Sequence, residues 1–244
     1  MPTQRVSEAV VLAAGDGDRF ATGGHGPKLL YPIRGVPLIA RTLRTLAASG
    51  IDVVHLVLGF EAERVRAEAA AAAAHLDGLN LQFNFNAHWR QENGLSVLAA
   101  RNGVASCRFA IIMGDHVFDP QSLAILLKAS AQPGESLLAI DRLPSQAVQA
   151  TEATRVRLDD DLVTGIGKEI SPYDALDTGL FVCDRAIFEA IEQACANSDT
   201  SLTGGVQKLA AQRKLRGLDI AGPWWDVDCI EDVAAAETML GQSD

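Results

Sequence analysis

The residues with chemistry in them sit at the ends of short apolar runs. Leu12-Ala13-Ala14-Gly15-Asp16-Gly17-Asp18-Arg19-Phe20 closes the first such run, and Pro27-Lys28 follows a glycine-rich stretch, Gly23-Gly24-His25-Gly26. Small residues straight after a strand let a ligand approach the backbone, and successive turn N–H groups form an anion-binding concavity. Arg19 and Lys28 add fixed positive charge, so a nucleoside triphosphate is the natural occupant. A dinucleotide-binding reading is weaker, because Phe20 stands where GxGxxG requires its third glycine and the segment that follows reads as a loop rather than a helix. A plain surface loop with glycines for turns is the other reading of this segment taken alone.

Two acidic elements complement that loop. Ile111-Ile112-Met113-Gly114-Asp115-His116-Val117-Phe118 ends an apolar run in a carboxylate, and ligands of open α/β sheets gather outside the carboxyl ends of the strands. Trp224-Trp225-Asp226-Val227-Asp228 places two carboxylates on one side of a short strand, since alternate residues share a face. Asp115 with Asp226 or Asp228 therefore offers oxygen ligands to a hard cation such as Mg²⁺, which takes one or two carboxylates together with substrate phosphates. Isolated carboxylates of this kind more often cap helices or sit in solvated turns; beside a phosphate loop the cation reading gains weight. His116 reads as a hydrogen-bonding neighbour of such a cation rather than a catalytic group. His25, His55, His75 and His88 form no recognisable ligand set.

The elements that must position these groups follow from periodicity. Ala9 to Ala14, Val53 to Leu58, Leu79 to Phe83 and Phe109 to Met113 read as strands, alternating with helices over Pro37 to Ser49, Ala62 to His75, Gly94 to Asn102 and Gln121 to Ala129. The alanine run Ala69 to Ala74 continues the second helix, Ala being the best helix former. Strands that are near-continuous runs of Val, Leu and Ile are covered on both faces, so a Rossmann-like, mainly parallel or mixed α/β sheet flanked by helices is expected. The second half loses this rhythm. Leu137 to Ile140, Arg155 to Leu158, Val163 to Ile166 and Gly179 to Val182 are strand-like without helices between them, which predicts a β-rich extension. Helices return at Arg185 to Ala196, Val206 to Gln212 and Ile230 to Leu240. No linker or repeat divides the 244 residues, and a single domain over 1–244 is expected.

Bulk composition narrows the partners. The 31 acidic and 21 basic side chains give a formal charge of −10, which argues against a nucleic-acid binder with a broad basic face. An anionic small molecule remains open to a local cluster of cations and N–H groups. The four cysteines, Cys107, Cys183, Cys195 and Cys229, lie in or beside apolar runs with no CxxC pair, so buried free thiols are expected. No stretch reaches membrane-spanning length and the N-terminal apolar run is too short for a signal segment. A cytoplasmic protein without membrane insertion is expected.

Taken in order, these motifs resemble a family. LAAGxGxR followed by PK, then Ile33-Arg34-Gly35-Val36-Pro37-Leu38-Ile39, the Gly-Asp-His strand end and the WxDVD element are similar to the nucleotidyltransferases that activate phosphorylated sugars and alcohols. Within that superfamily the chain resembles the CTP:inositol-1-phosphate cytidylyltransferases. The likeness rests on Gly114-Asp115-His116-Val117, Glu152-Ala153-Thr154-Arg155-Val156-Arg157, Ile166-Gly167-Lys168-Glu169, Asp177-Thr178-Gly179-Leu180-Phe181 and Trp225-Asp226-Val227-Asp228. The resemblance implies a GT-A-like fold and transfer of CMP from CTP to inositol 1-phosphate, giving CDP-inositol and pyrophosphate. It implies nucleotide contact by Leu12, Ala13, Ala14, Gly15, Gly17 and Asp115. Arg19 and Lys28 would meet the phosphates, Asp115 and Asp228 would hold Mg²⁺, and Lys168 would meet the acceptor phosphate. Asn93, Gly94 and Ser96, with Glu92, match the segment that lines the pyrimidine; Asn93 capping the following helix is the competing reading.

The same layout serves transferases for other phospho-alcohols, phosphonates or sugar phosphates. Asp18, where the family carries Thr or Ser, puts a carboxylate beside the expected triphosphate and keeps open a non-catalytic nucleotide-binding homologue. Family habit further implies a homodimer. It also implies a downstream CDP-alcohol transferase, here expected as a separate protein.

Overall fold

A computed structural model of the chain describes residues 5–17, 19–20, 26–142 and 153–241. Asp18, Gly23, Gly24, His25 and Glu152, singled out above, lie outside the described residues. The first half contains β1 (Glu8–Ala13), a hairpin of β2 (Pro32–Ile33) and β3 (Val36–Pro37), α1 (Leu38–Ala48), β4 (Val53–Leu58), α2 (Ala62–Ala73), β5 (Asn80–Phe85), α3 (Gly94–Ala100) and β6 (Arg108–Met113). There follow β7 (His116–Phe118), α4 (Pro120–Lys128), β8 (Ser136–Asp141), β9 (Arg155–Asp159), β10 (Leu162–Gly167) and β11 (Ala175–Asp184). The chain then runs through α5 (Ala186–Cys195), α6 (Leu202–Ala211), β12 (Leu215–Asp219), β13 (Trp224–Asp226) and α7 (Ile230–Gly241).

Why β1 lies at the centre is legible in its side chains. Ala9, Val11 and Ala13 pack into one buried cluster and Val10 and Leu12 into another, so the strand is covered on both faces. Helices α1, α2, α4 and α7 contribute to the first cluster, and α3, α5 and α6 to the second. The nine-stranded sheet runs in the order β5-β4-β1-β6-β11-β8-β12-β10-β9. Its first four strands are parallel, through the pairs β4–β5, β1–β4 and β1–β6. β11 then turns antiparallel to both β6 and β8, while β12 runs parallel to β8. The expected mixed α/β sheet is therefore present. The strands of the second half extend that same sheet instead of building an appendage beside it.

Three differences from the sequence reading have physical causes. β11 begins at Ala175, ahead of the expected Gly179, because a register irregularity between Asp177 and Phe181 interrupts the apolar run without ending the strand. α6 begins at Leu202, ahead of the expected Val206, although Gly204 and Gly205 disfavour a helix interior. There the Ser201 hydroxyl accepts the Gly204 N–H at 2.9 Å, and a Cβ at Gly205 would lie 2.4 Å from Ile191 Cγ1, so tight packing on α5 requires glycine. The cysteines are all free, but only Cys183 is buried; Cys107, in the turn before β6, is exposed, and Cys195 and Cys229 are half-buried. No described helix is long and apolar enough to cross a membrane.

Candidate active site

The site is built where β1 and β6 end side by side. Leu12 pairs with Met113 in register, so the loop from Ala14 and the turn at Gly114 leave the sheet together. The Gly114 N–H donates to the Leu12 carbonyl at 3.0 Å, and a Cβ on Gly114 would stand 2.6 Å from that oxygen, so no other residue fits. Asp115 is thereby projected above the strand ends. On the other side of the loop, Gly17 has φ +58 and its Cα faces Lys28, whose Cβ would lie 2.9 Å from a Gly17 Cβ. That close approach packs the glycine loop onto Lys28. Phe20 is fully buried and meets the Tyr31 ring edge-on at 5.4 Å. A core anchor thus occupies the place of the third glycine.

The second acidic element arrives by a short antiparallel pairing. β13 lies against β7 with Trp224 opposite Phe118, Trp225 opposite Val117 and Asp226 opposite His116. The Val227 N–H then donates to the Asp115 carbonyl at 3.2 Å, which sets Asp228 beside the glycine loop. Asp232, at the start of α7, accepts the N–H groups of Asp228 and Cys229 at 2.9 and 2.8 Å and holds this turn.

Charges are packed densely as a result. Lys28 Nζ lies 2.8 Å from Asp115 Oδ2 and 2.9 Å from Asp228 Oδ1, and Arg19 Nη2 lies 2.7 Å from Asp228 Oδ2. Burial works against the Lys28 ammonium, but Asp115, Asp228 and Asp226 outweigh it and hold its pKa well above the ordinary value. Burial likewise pushes the Asp115 carboxyl up, and Lys28 and His116 overcome this to hold it below the usual carboxylate range. His116 loses by burial and gains more from Asp226 and Asp115, ending at about 10. Burial, reinforced by Asp115 and Asp228, raises Asp226 in spite of His116.

A cavity of about 440 Å³ opens over this cluster. Among the expected residues, Arg19, Asn93, Asp115, Lys168 and Asp228 line it. Lys28 lies just beneath, its side chain 10% exposed. Leu12, Ala13, Ala14, Gly15, Gly17, Gly94 and Ser96 are not on its wall. Ser96 is buried and accepts a hydrogen bond from Asn86 Nδ2 at 2.9 Å. Asn93 stands at the N-cap position of α3 but makes no side-chain capping hydrogen bond there; its Oδ1 accepts the Leu202 N–H at 2.9 Å and joins the start of α3 to the start of α6. Lys168, which follows β10, faces the cavity from the extended half of the sheet.

Asp177 also lines the cavity and entered the sequence reading only as part of a motif. Burial raises its carboxyl to about 6, although Gly179 donates its N–H to Oδ1 at 2.8 Å. Its place on the cavity is not legible in the sequence, because the register irregularity between Asp177 and Phe181 breaks the regular alternation of faces along β11.

The carboxylate oxygens of Asp115 and Asp228 that converge on one ammonium suit a hard dication. Asp115, His116 and Asp226 form a second group, each offering one ligand atom, with all three atoms within 4.8 Å of one another.

A family model described as the MobA-like NTP transferase domain matches residues 9–214, which contain the glycine loop, Asp115 and Lys168. The chain belongs to that family. Two curated relatives, both named bifunctional IPC transferase and DIPP synthase, come from Rubrobacter xylanophilus and Aquifex aeolicus. The first is 36% identical over 98% of this chain and 54% of its own length. The second is 32% identical over 96% of this chain and 52% of its own length. The chain thus spans about half the length of these relatives. Among solved structures, the inositol-1-phosphate CTP transferase from T. maritima superposes with a TM-score of 0.84 at 24% identity, covering 98% of each chain. A UDP-glucose pyrophosphorylase complexed with UDP-glucose gives a TM-score of 0.80 at 16% identity, covering 98% of this chain and 100% of the other. At these identities the structural likeness is one of fold. Family and relatives make the chain a nucleotidyltransferase domain, as its motifs implied.

Proposed function

We propose that the chain transfers CMP from CTP to inositol 1-phosphate, releasing pyrophosphate and forming CDP-inositol. The observation that carries this reading is the cavity itself, which is lined by Lys168 together with Arg19, Asp115 and Asp228, with Lys28 held just beneath by the two carboxylates. Two phosphorylated substrates need two cationic positions, and this reading gives one to Lys168 and the other to Arg19 with Lys28. The IPC transferase name of the curated relatives and the fold shared with the inositol-1-phosphate CTP transferase from T. maritima support this reading.

In this reading the triphosphate lies along the glycine loop, with Arg19 and Lys28 against its oxygens. Lys168 fixes the acceptor phosphate so that one of its oxygens faces the α-phosphorus. That oxygen is already ionised and needs no general base. It forms a bond to the α-phosphorus while the bond to the bridging oxygen of pyrophosphate breaks, and the leaving group carries off the electron pair. Catalysis is then positioning and charge neutralisation. Mg²⁺, held by Asp115 and Asp228, would withdraw charge from the phosphate oxygens. Asp177, a half-buried carboxyl that lines the same cavity, serves as a hydrogen-bond partner for an acceptor hydroxyl.

Incubation with CTP, Mg²⁺ and a panel of phosphorylated alcohols, sugar phosphates and phosphonates, with pyrophosphate release followed, tests this. Release with inositol 1-phosphate above the other acceptors is expected. Release with another acceptor alone would reassign the substrate, and none with any acceptor would reject the transferase activity itself.

A further inference from the structure

Lys168 stands in a turn whose own bonding is slight. Within it the Ile170 N–H reaches the Gly167 carbonyl only at 3.4 Å, and Arg155 Nη1 reaches the Ile170 carbonyl at the same distance. On one flank the end of β10 pairs with β9, Ile166 with Val156 and Gly167 with Arg155; β12 meets β10 at Leu162 alone. The remaining support comes from α6. Gln207 Nε2 donates to the Ile166 carbonyl at 2.8 Å, and since a carbonyl can only accept, the amide must present its NH₂ group to this oxygen. The amide also lies close over the next residue, because a Cβ at Gly167 would stand 3.4 Å from Gln207 Nε2. The helix is a firm support for such a bond. Its Leu202, Val206 and Leu209 are buried, Gly205 packs on Ile191, and the Leu202 N–H is held by Asn93 Oδ1 at 2.9 Å. Thr203 and Val206 of the same helix line the cavity that Lys168 also lines.

We propose that Gln207 is a positioning residue for Lys168: its side-chain amide ties the end of β10 to α6 and so sets the lysine at the acceptor phosphate. This inference rests on the transferase reading above, in which Lys168 meets that phosphate. A lysine ammonium rides on a flexible stem, so the place of its backbone decides how much of its reach falls inside the cavity. Only Gly167 separates Ile166 from Lys168, and a backbone held at the first confines the second. Without the amide, the turn keeps its ladder to β9 and loses its tie to the helix. The lysine then spends a smaller share of its time over the cavity, and affinity for the acceptor falls with that share. The nucleotide phosphates lie, in the same reading, against Arg19 and Lys28, which belong to other elements. Binding of CTP should not follow Gln207.

Steady-state kinetics with CTP, Mg²⁺ and inositol 1-phosphate, or the acceptor that the panel selects, test this on Gln207→Leu alone and combined with Lys168→Met. Expected for Gln207→Leu is a rise in KM for the acceptor of about three- to tenfold, with KM for CTP and the melting temperature close to wild type. In the Lys168→Met background the same substitution should add less than about twofold, because the group it positions is gone. Three results overturn the proposal: an unchanged KM for the acceptor, an equal rise in both KM values, or the full effect of Gln207→Leu persisting without Lys168. Should Gln207→Leu fail to fold, Gln207→Glu, which keeps the length of the side chain and loses the donor, is held to the same outcomes. Hydrogen exchange in the substrate-free full chain reads the tie without turnover. Residues 163–171 should exchange about three- to tenfold faster in Gln207→Leu while α5 keeps its wild-type rates. Wild-type exchange in 163–171 overturns the proposal. An enzyme without turnover on any acceptor rejects the transferase reading instead, and exchange still decides whether Gln207 holds the lysine turn.

Discussion

Lys28 and Lys168 border the same cavity, yet their surroundings assign them different work. Lys28 is clasped by Asp115 and Asp228, whose two negative charges exceed its one. Lys168 is exposed on the cavity wall and, among the described residues, has no carboxylate within ion-pair distance, so its charge is available to a ligand. Lys168→Met is accordingly expected to raise KM for the acceptor phosphate about tenfold or more while leaving KM for CTP and the melting temperature close to wild type. A parallel rise in both KM values would remove Lys168 from the acceptor side. Composition and periodicity say nothing of this lysine, which is one solvated side chain in a β-rich segment; only the family resemblance of Ile166-Gly167-Lys168-Glu169 singled it out. The carboxylates were easier to find, since strand ends announce them. Their division of labour was not, because Asp226 and Asp228 part company where β13 ends: one meets His116 and the other Lys28 and Arg19.

At the scale of elements, glycines that look alike in the sequence separate into two kinds. Gly15 and Gly114 both follow central strands. A Cβ at Gly15 would meet none of the described residues within 4 Å, whereas one at Gly114 would stand 2.6 Å from the Leu12 carbonyl, between β1 and β6. Gly114→Ala must push apart two strands that hold Asp115 in place, at a cost of about 1–3 kcal/mol in stability, with a fall in kcat. Gly15→Ala should unfold like the wild type and yet bind CTP more weakly, because its open side is where the triphosphate is proposed to lie. Urea unfolding beside CTP titration checks both; a destabilised Gly15→Ala with normal CTP binding would make that glycine structural. The same scale explains what was legible in the fold. The parallel βα half was read nearly residue for residue, since each element carries its own period. β12 was missed, with Arg216 and Gly217 interrupting its apolar character. It is a strand because β8 supplies a five-residue parallel register that local sequence cannot show. β7 and the hairpin of β2 and β3 are too short to have a period at all.

Across the whole molecule, the acid excess is not spread evenly through solvent, and one buried carboxylate ties the sheet together far from the cavity. Glu8, 5% exposed at the start of β1, meets His55 Nε2 of β4 at 2.7 Å and accepts the N–H groups of Ala105 and Ser106 at 3.1 and 2.7 Å, in the segment that leads into β6. It thus links three adjacent strands through one side chain. Burial alone would raise its pKa, but the bonds from Ser106, His55 and Ala105 outweigh burial and bring it from 4.5 down to about 2. The folded state therefore holds this carboxyl ionised more firmly than the unfolded chain does. The resulting stability is present in full above the unfolded value of 4.5 and is lost as pH falls from there toward 2. At about 1.4 kcal/mol per pKa unit the contribution is of order 3 kcal/mol. Glu8→Gln should lower the unfolding free energy at pH 7 by about 2–3 kcal/mol and converge on the wild type only as pH falls to about 2. Other carboxylates titrate in the same range in both proteins, so the difference between the two unfolding curves isolates Glu8. Urea unfolding at closely spaced pH values measures that difference directly. A gap that stays constant from pH 7 down through the acid range would mean that Glu8 contributes by packing, and that its charge holds nothing together.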